Sequence, residues 1–158
     1  MTRPGPHARA PIWTPAEADR WPHFKARELA CKGSGEYWHD PDFLDALEAL
    51  RAEAGRPLVI TSGHRSARHN RRVGGAPRSM HLTIAADIAL AGHDRKRLLR
   101  AAIAAGFTGL GLAATFLHVD RRPTPTVWPY AGSMAGWDRA FGFNVLARVR
   151  AGGLGVLL

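Results

Sequence analysis

Cysteine is nearly absent: of 158 residues, only Cys31 carries a thiol. An internal disulfide is excluded, and the fold does not depend on an oxidising compartment. Within Leu29-Ala30-Cys31-Lys32-Gly33 a small buried residue explains the cysteine better than a nucleophile does. No apolar run reaches the ~18 residues of a membrane-spanning helix, so no membrane span is expected. The opening Met1-Thr2-Arg3-Pro4-Gly5-Pro6 lacks an apolar core, so no secretory signal is expected either. Zinc-finger spacing, an aromatic RNA-binding signature and internal repeats are also missing.

What is present is positive charge. The formal net charge is +9, and 22% of residues are charged. Such a balance favours an anionic partner. The charge comes mostly from arginine spread along the chain, densest at Arg65, Arg68, Arg71, Arg72 and Arg78. Nucleic acid, a membrane surface and an acidic cell-wall polymer all fit the balance; with no nucleic-acid-binding signature in the sequence, no nucleic-acid partner is expected, and an Arg-rich nucleic-acid binder stays only as a third reading. The length suits one domain with a real core. With 17 glycines and 11 prolines, that domain should have many turns between short elements.

The pattern divides the chain into an irregular lead over residues 1–20, a body over 21–137, and a tail over 138–158 that is weakly docked or disordered. Within the lead, Thr14-Pro15-Ala16-Glu17 is placed to open a short helical turn. Asp40 and Pro41 start a helix whose Phe43, Leu44, Leu47 and Leu50 share a face, and Gly55 stops it. Residues 56–61 predict a buried strand, 66–72 a short basic helix, and 85–90 an apolar strand interrupted by Asp87. A helix follows from His93 to Ala105. Residues 107–112 predict a glycine-rich turn, and Phe116 to Asp120 a strand with His118 and Asp120 on one side. After Arg122 the prolines predict an extended segment, where Trp128, Tyr130 and Trp137 either wall a cleft or fold back onto the body. In the tail, Val145, Leu146 and Val149 suit a short helix.

Two stretches combine imidazole and carboxylate with apolar neighbours: Ser79 to Ile88, and Phe116 to Asp120. Zinc takes nitrogen from His and oxygen from Asp, and a catalytic zinc needs three protein ligands and one open position. His81, Asp87 and His118 would supply the three. An unpartnered carboxylate inside an apolar strand is costly, and metal or an arginine would offset that cost.

Gly55-Arg56-Pro57-Leu58-Val59-Ile60-Thr61-Ser62-Gly63-His64-Arg65-Ser66, His69-Asn70, Val73-Gly74-Gly75-Ala76, Ser79-Met80-His81-Leu82, Ala85-Ala86-Asp87-Ile88 and Phe116-Leu117-His118-Val119-Asp120 appear in order. Together they resemble the zinc D-Ala-D-Ala carboxypeptidases of peptidase family M15, subfamily A, over about residues 24 to 122. The resemblance implies an α+β fold of the hedgehog/DD-peptidase kind, with a small, mainly antiparallel sheet and packed helices. It implies Zn2+ on His81, Asp87 and His118, and a peptidoglycan stem peptide as substrate. Arg65 would bind the substrate carboxylate or the oxyanion, or else only neutralise Asp87; apart from the resemblance, Ser79 is placed either to bond a substrate carbonyl or simply to cap its loop. Asp120 would act as general base, with orientation of His118 as its other possible role. There are two departures: Phe116 and Thr115 stand where many zinc peptidases of this fold carry an acid or a histidine, and Asp87 follows His81 by six residues, where the family usually has seven with a glycine between that is missing here. A deletion in the loop leaves the ligands convergent, whereas one inside the strand turns the carboxylate to the opposite face. The alternative is a non-catalytic, zinc-stabilised wall-binding or phage structural module. Either would be made in the cytoplasm and meet the wall after phage-type release.

Overall fold

The computed structural model describes all 158 residues. Order begins in the lead. Strand β1 (Gly5–His7) pairs antiparallel with β2 (Tyr37–His39), and helix α1 (Pro15–Arg20) lies between them in the chain. Thr14 caps α1: its hydroxyl accepts from the Glu17 N–H at 3.3 Å, and the Glu17 carboxylate accepts from the Thr14 N–H at 2.8 Å. This reciprocal cap is the one the Thr14-to-Glu17 pattern predicts. Glu17 also accepts from the Thr2 N–H and is fully buried. Residues 1–20 are therefore not the irregular lead expected; one acidic side chain ties both ends of the segment together. Trp13 packs on Trp21 with ring centroids 5.1 Å apart.

Helix α2 (Pro41–Ala54) begins and ends as the sequence predicts. Asp40 accepts from the Phe43 N–H at 3.0 Å, and Gly55 takes the left-handed conformation at φ 69° that a side chain would resist. The chain then forms β3 (Ile60–Ser62), α3 (Ala67–Arg72), β4 (Ala86–Ala89), α4 (Arg95–Ala104), β5 (Gly109–Leu112), β6 (Phe116–Asp120) and β7 (Thr126–Pro129). The five later strands make one sheet in the order β3-β4-β6-β5-β7, antiparallel except for the parallel β5–β7 pair. The molecule is α+β, as expected. Strand β3 is shorter than predicted: Pro57 has no N–H to give to a ladder, and Val59 is exposed.

Alternation along the strands gives the sheet two unlike faces. Ile88, Leu110, Leu112, Leu117 and Val119 turn into the main core, with Leu44, Leu47 and Leu50 of α2 and Leu98 and Leu99 of α4. The other face carries Asp87, Phe116, His118 and Asp120. Residues 107–112 are not a turn. Their alternation of glycine and leucine is that of a fully buried strand, with leucines toward the helices and Gly109 and Gly111 toward the polar face. At that face a Cβ on Gly111 would stand 2.8 Å from Trp128 and 2.9 Å from the His118 Cβ.

The tail is also folded. Helix α5 (Met134–Phe141) buries Trp137 completely, and the indole donates to the Ala113 carbonyl at 2.8 Å. Trp137 thus belongs to the core and not to a cleft wall. Asn144 caps α6 (Val145–Gly152), and a 3-10 turn over Leu154–Leu157 brings Leu157 to zero exposure. Arg100 of α4 donates to the Leu157 carbonyl at 2.7 Å. The run expected to be disordered or loosely docked is held by Phe141, Val145 and Leu157 in the core and by that main-chain acceptor.

Candidate metal centre and its cleft

Three elements bring the predicted ligands together. His81 sits on the 3-10 turn Met80–Leu82, with Ser79 as its cap. Asp87 and His118 are direct cross-strand partners on β4 and β6. The short His81–Asp87 interval is spanned by that turn and residues 83–85, ahead of β4, so Asp87 keeps the face of His118. The Asp87 Oδ1 lies 3.2 Å from His81 Nε2 and 2.9 Å from His118 Nδ1, and the two nitrogens are 3.1 Å apart. All three residues are buried.

The outer nitrogens settle what the inner ones present. His81 Nδ1 faces the Gly63 carbonyl at 2.6 Å and must donate to it. His118 Nε2 faces the Asp120 carboxylate at 2.8 Å and donates there. In the neutral rings, the two inner nitrogens then carry lone pairs, aimed with a carboxylate oxygen at one point. Three converging acceptors with no proton between them repel one another, and a divalent cation relieves this. The donor set, two imidazoles and one carboxylate, fits such an ion. Without it, a proton is the substitute: burial opposes charge on His118, but Asp120 and Asp87 outweigh it and raise the ring above its ordinary value. Burial likewise works to raise Asp87, yet the bonds from His118 and His81 hold it well below the usual carboxylate range.

Gly63 and His81 are mutually braced. The Arg65 N–H donates to the His81 carbonyl at 2.6 Å, and a Cβ on Gly63 would meet the Leu29 carbonyl oxygen at 2.4 Å. Only glycine lets the turn after β3 press that closely against Leu29. Arg65 reaches Asp87 Oδ2 at 3.3 Å and Ser62 Oγ at 3.0 Å. Asn70, buried on α3, donates to the Ala76 carbonyl at 2.9 Å and so holds the 73–76 loop beside the site.

A cleft of about 480 Å³ opens above the three ligands. One wall is the 73–80 loop with Arg65, Arg78 and Ser79; the other is Phe116, Arg122, Trp128 and Tyr130. Trp128 reaches over the Gly111 notch to His118, ring centroids 5.0 Å apart, and the Arg122 guanidinium lies over the same indole at 4.4 Å. The chain has no acidic residue between Glu53 and Asp87, so the loop wall carries positive charge only.

Asp120 is not in the cleft. It lies behind His118, fully buried, with Arg122 donating to Oδ1 at 2.9 Å and to Oδ2 at 2.6 Å. Burial pushes its carboxyl up, but Arg122 and His118 hold it well below the usual range. The two-residue offset does put it on the same sheet face as His118, but opposite Gly109 and away from Asp87. Ser79 does line the cleft, with its oxygen already accepting from the His81 N–H at 3.2 Å. His64 and His69 stand apart: His64 bonds the Thr83 carbonyl, and His69 packs on Gly33. Sequence reasoning passed over Asn70, Gly109 and Gly111. The alternating Gly-Leu-Gly-Leu was the signal available for the glycines.

No helix is long and apolar enough to cross a membrane. No curated protein matches the chain. The model of the family described as Peptidase M15 matches residues 22–120, a span that begins just after α1 and ends on the His118-Val119-Asp120 strand. That span holds the three converging residues that could hold a metal ion and covers well over half the sequence, so the chain belongs to the peptidase M15 family of metal-dependent peptidases.

Proposed function

We infer that the protein is a zinc peptidase that cuts a peptide bond in peptidoglycan stem peptides, as a D-Ala-D-Ala carboxypeptidase or endopeptidase. The observation that carries this is the convergence of His81 Nε2, His118 Nδ1 and Asp87 Oδ1 at the floor of an open, arginine-rimmed cleft. Zinc bound there would supply Lewis acidity, activating water at neutral pH and polarising a carbonyl. Arg65, at the edge of that floor, pairs with the substrate carboxylate or with the oxygen that becomes charged as the carbonyl is attacked. Arg78 and Arg122 add to a field that draws an acidic peptide in. Ser79 offers its hydroxyl hydrogen to a substrate carbonyl. Asp120 is assigned to positioning: through Nε2 it fixes the tautomer and tilt of His118, which keeps Nδ1 free for metal.

The commitment of Asp120 to His118 and Arg122 also favours the second reading, a zinc-stabilised module that binds wall without cutting it. One assay separates them. Purified peptidoglycan is incubated with zinc-loaded protein, with and without a chelator, and released D-Ala and cut muropeptides are measured. Product that disappears with chelator supports the peptidase. Binding to the wall with no product from loaded protein supports the module.

A further inference from the structure

Hydrolysis of a peptide bond needs a proton delivered to the departing nitrogen, and the groups facing the cleft can be counted. His81, Asp87 and His118 are turned inward toward one another. Arg65, Arg78 and Arg122 carry guanidinium groups, which offer hydrogen bonds and not a proton for transfer. Asp120 is sealed behind His118. The Ser79 hydroxyl is far too weak an acid to supply a proton. No glutamate, lysine or cysteine lines the cleft. One exchangeable group remains, the phenol of Tyr130.

Its placement suits the task. Tyr130 follows Trp128 by two residues, on the same side of the chain. Trp128 lies on β7 and Tyr130 just after its end, the first ring against His118 and the second against Phe116 at 5.1 Å. The Tyr130 N–H donates to the Leu112 carbonyl at 3.1 Å, and its own carbonyl accepts from the Ser133 hydroxyl at 2.7 Å. The backbone is held, while the residue lines the cleft and stays 38% exposed. Burial first, and then the Asp87 charge, raise the phenol, so it is fully protonated at neutral pH; Arg65 and Arg122 act on it in the opposite sense.

We propose that Tyr130 is a catalytic residue, the general acid that protonates the leaving amine. This rests on the peptidase reading above. As the C–N bond breaks, the phenol O–H passes its proton to the nitrogen, which leaves as a neutral amine. The attacking water forms the new C–O bond, and the proton it loses returns to the phenolate oxygen. Atoms and charge balance, and no further reactant is needed.

The test is Tyr130→Phe, which removes one oxygen and keeps the ring on Phe116. Two substrates are compared: a D-Ala-D-Ala peptide, and the corresponding ester with a nitrophenolate leaving group, which departs without protonation. The expected result is a kcat lower by about 100-fold on the peptide with KM little changed, and less than about threefold on the ester. Metal content and melting temperature are expected to match the parent protein. Independently of turnover, calorimetry with a phosphinate analogue of the dipeptide should show affinity reduced at least tenfold in Tyr130→Phe. Equal loss on peptide and ester, or no loss on either with unchanged phosphinate affinity, overturns the assignment while leaving the peptidase reading intact. A parent protein that turns over neither substrate overturns both.

Discussion

Gly111→Ala is the smallest change that reaches the metal centre from the strand behind it. Gly111 does not have a positive φ, so alanine fits its backbone. By that term alone the substitution would stabilise the fold by about 0.4–1 kcal/mol, through a less flexible unfolded chain. Packing opposes it. The new methyl would lie 2.8 Å from Trp128 Cζ2 and 2.9 Å from the His118 Cβ, where carbon atoms prefer about 3.5–4.0 Å. Neither neighbour is the free end of a flexible chain: Trp128 is in contact with both His118 and Arg122, and the His118 Cβ belongs to the central strand. Overpacking of this kind costs about 1–3 kcal/mol and outweighs the entropic gain. A net loss of about 1–2 kcal/mol is expected, read as a lower urea midpoint with an unchanged slope. Because His118 is one of the atoms displaced, metal affinity should also fall, by about 10- to 100-fold in competition with a chelating dye, the range seen when ligand support is disturbed. Gly155→Ala is the control, since nothing lies within 4 Å of its added methyl. If Gly111→Ala is as stable as its parent and binds metal equally well, the glycine notch does not position the site.

Three other outcomes follow from the same geometry. Asp120→Asn keeps the shape but removes the charge behind His118; metal affinity should fall about 10- to 100-fold, whereas loss of turnover with unchanged metal affinity would restore Asp120 as a base. The Glu17 carboxyl is lowered from its ordinary value to about 2: burial raises it, but the N–H groups of Thr2 and Thr14 more than compensate. A depressed acid stabilises above its unfolded pKa, so the lead should stay anchored above about pH 4.5 and loosen as pH falls through about 2. Hydrogen exchange at the Thr2 and Thr14 amides reads this, and Glu17→Gln should remove the pH dependence in that window. Deleting residues 154–158 uncovers the site of Leu157 and should cost about 1.5–3 kcal/mol in denaturant unfolding; an unchanged midpoint would mean that the tail contributes nothing.

The three candidate ligands were legible in two steps: two histidines and one aspartate in apolar, strand-like surroundings could converge, and the M15 resemblance picked them out. Asp40, Pro41 and Gly55 spell out both ends of α2, because their chemistry is local. The capping pair Thr14 and Glu17 was legible for the same reason. The lead as a whole was not, because its anchor is a long-range bond from the Thr2 N–H to the Glu17 carboxylate, and four prolines masked it. Strand β5 was missed because glycine signals both turns and close approach. Only the positions of Trp128, His118 and Asp120 around Gly109 and Gly111 show which applies. The α6 helix was legible from Val145, Leu146 and Val149, but the docking of the tail was not, because it rests on Phe141, Val145 and Leu157, too few and too widely spaced to make a pattern. Asp120 shares a face with His118, as strand alternation demands, but face alone does not say which side of an imidazole a carboxylate meets.

The central claim is that His81, Asp87 and His118 form one cation site. Isothermal titration of the metal-stripped full chain with zinc tests it most directly, run beside His118→Ala with folding checked by circular dichroism. The account predicts one equivalent of zinc bound by the parent, with the ion released as pH falls and protons occupy the rings, and no such binding by folded His118→Ala. Zinc uptake that is absent in the parent, or unaltered in the variant, would contradict it.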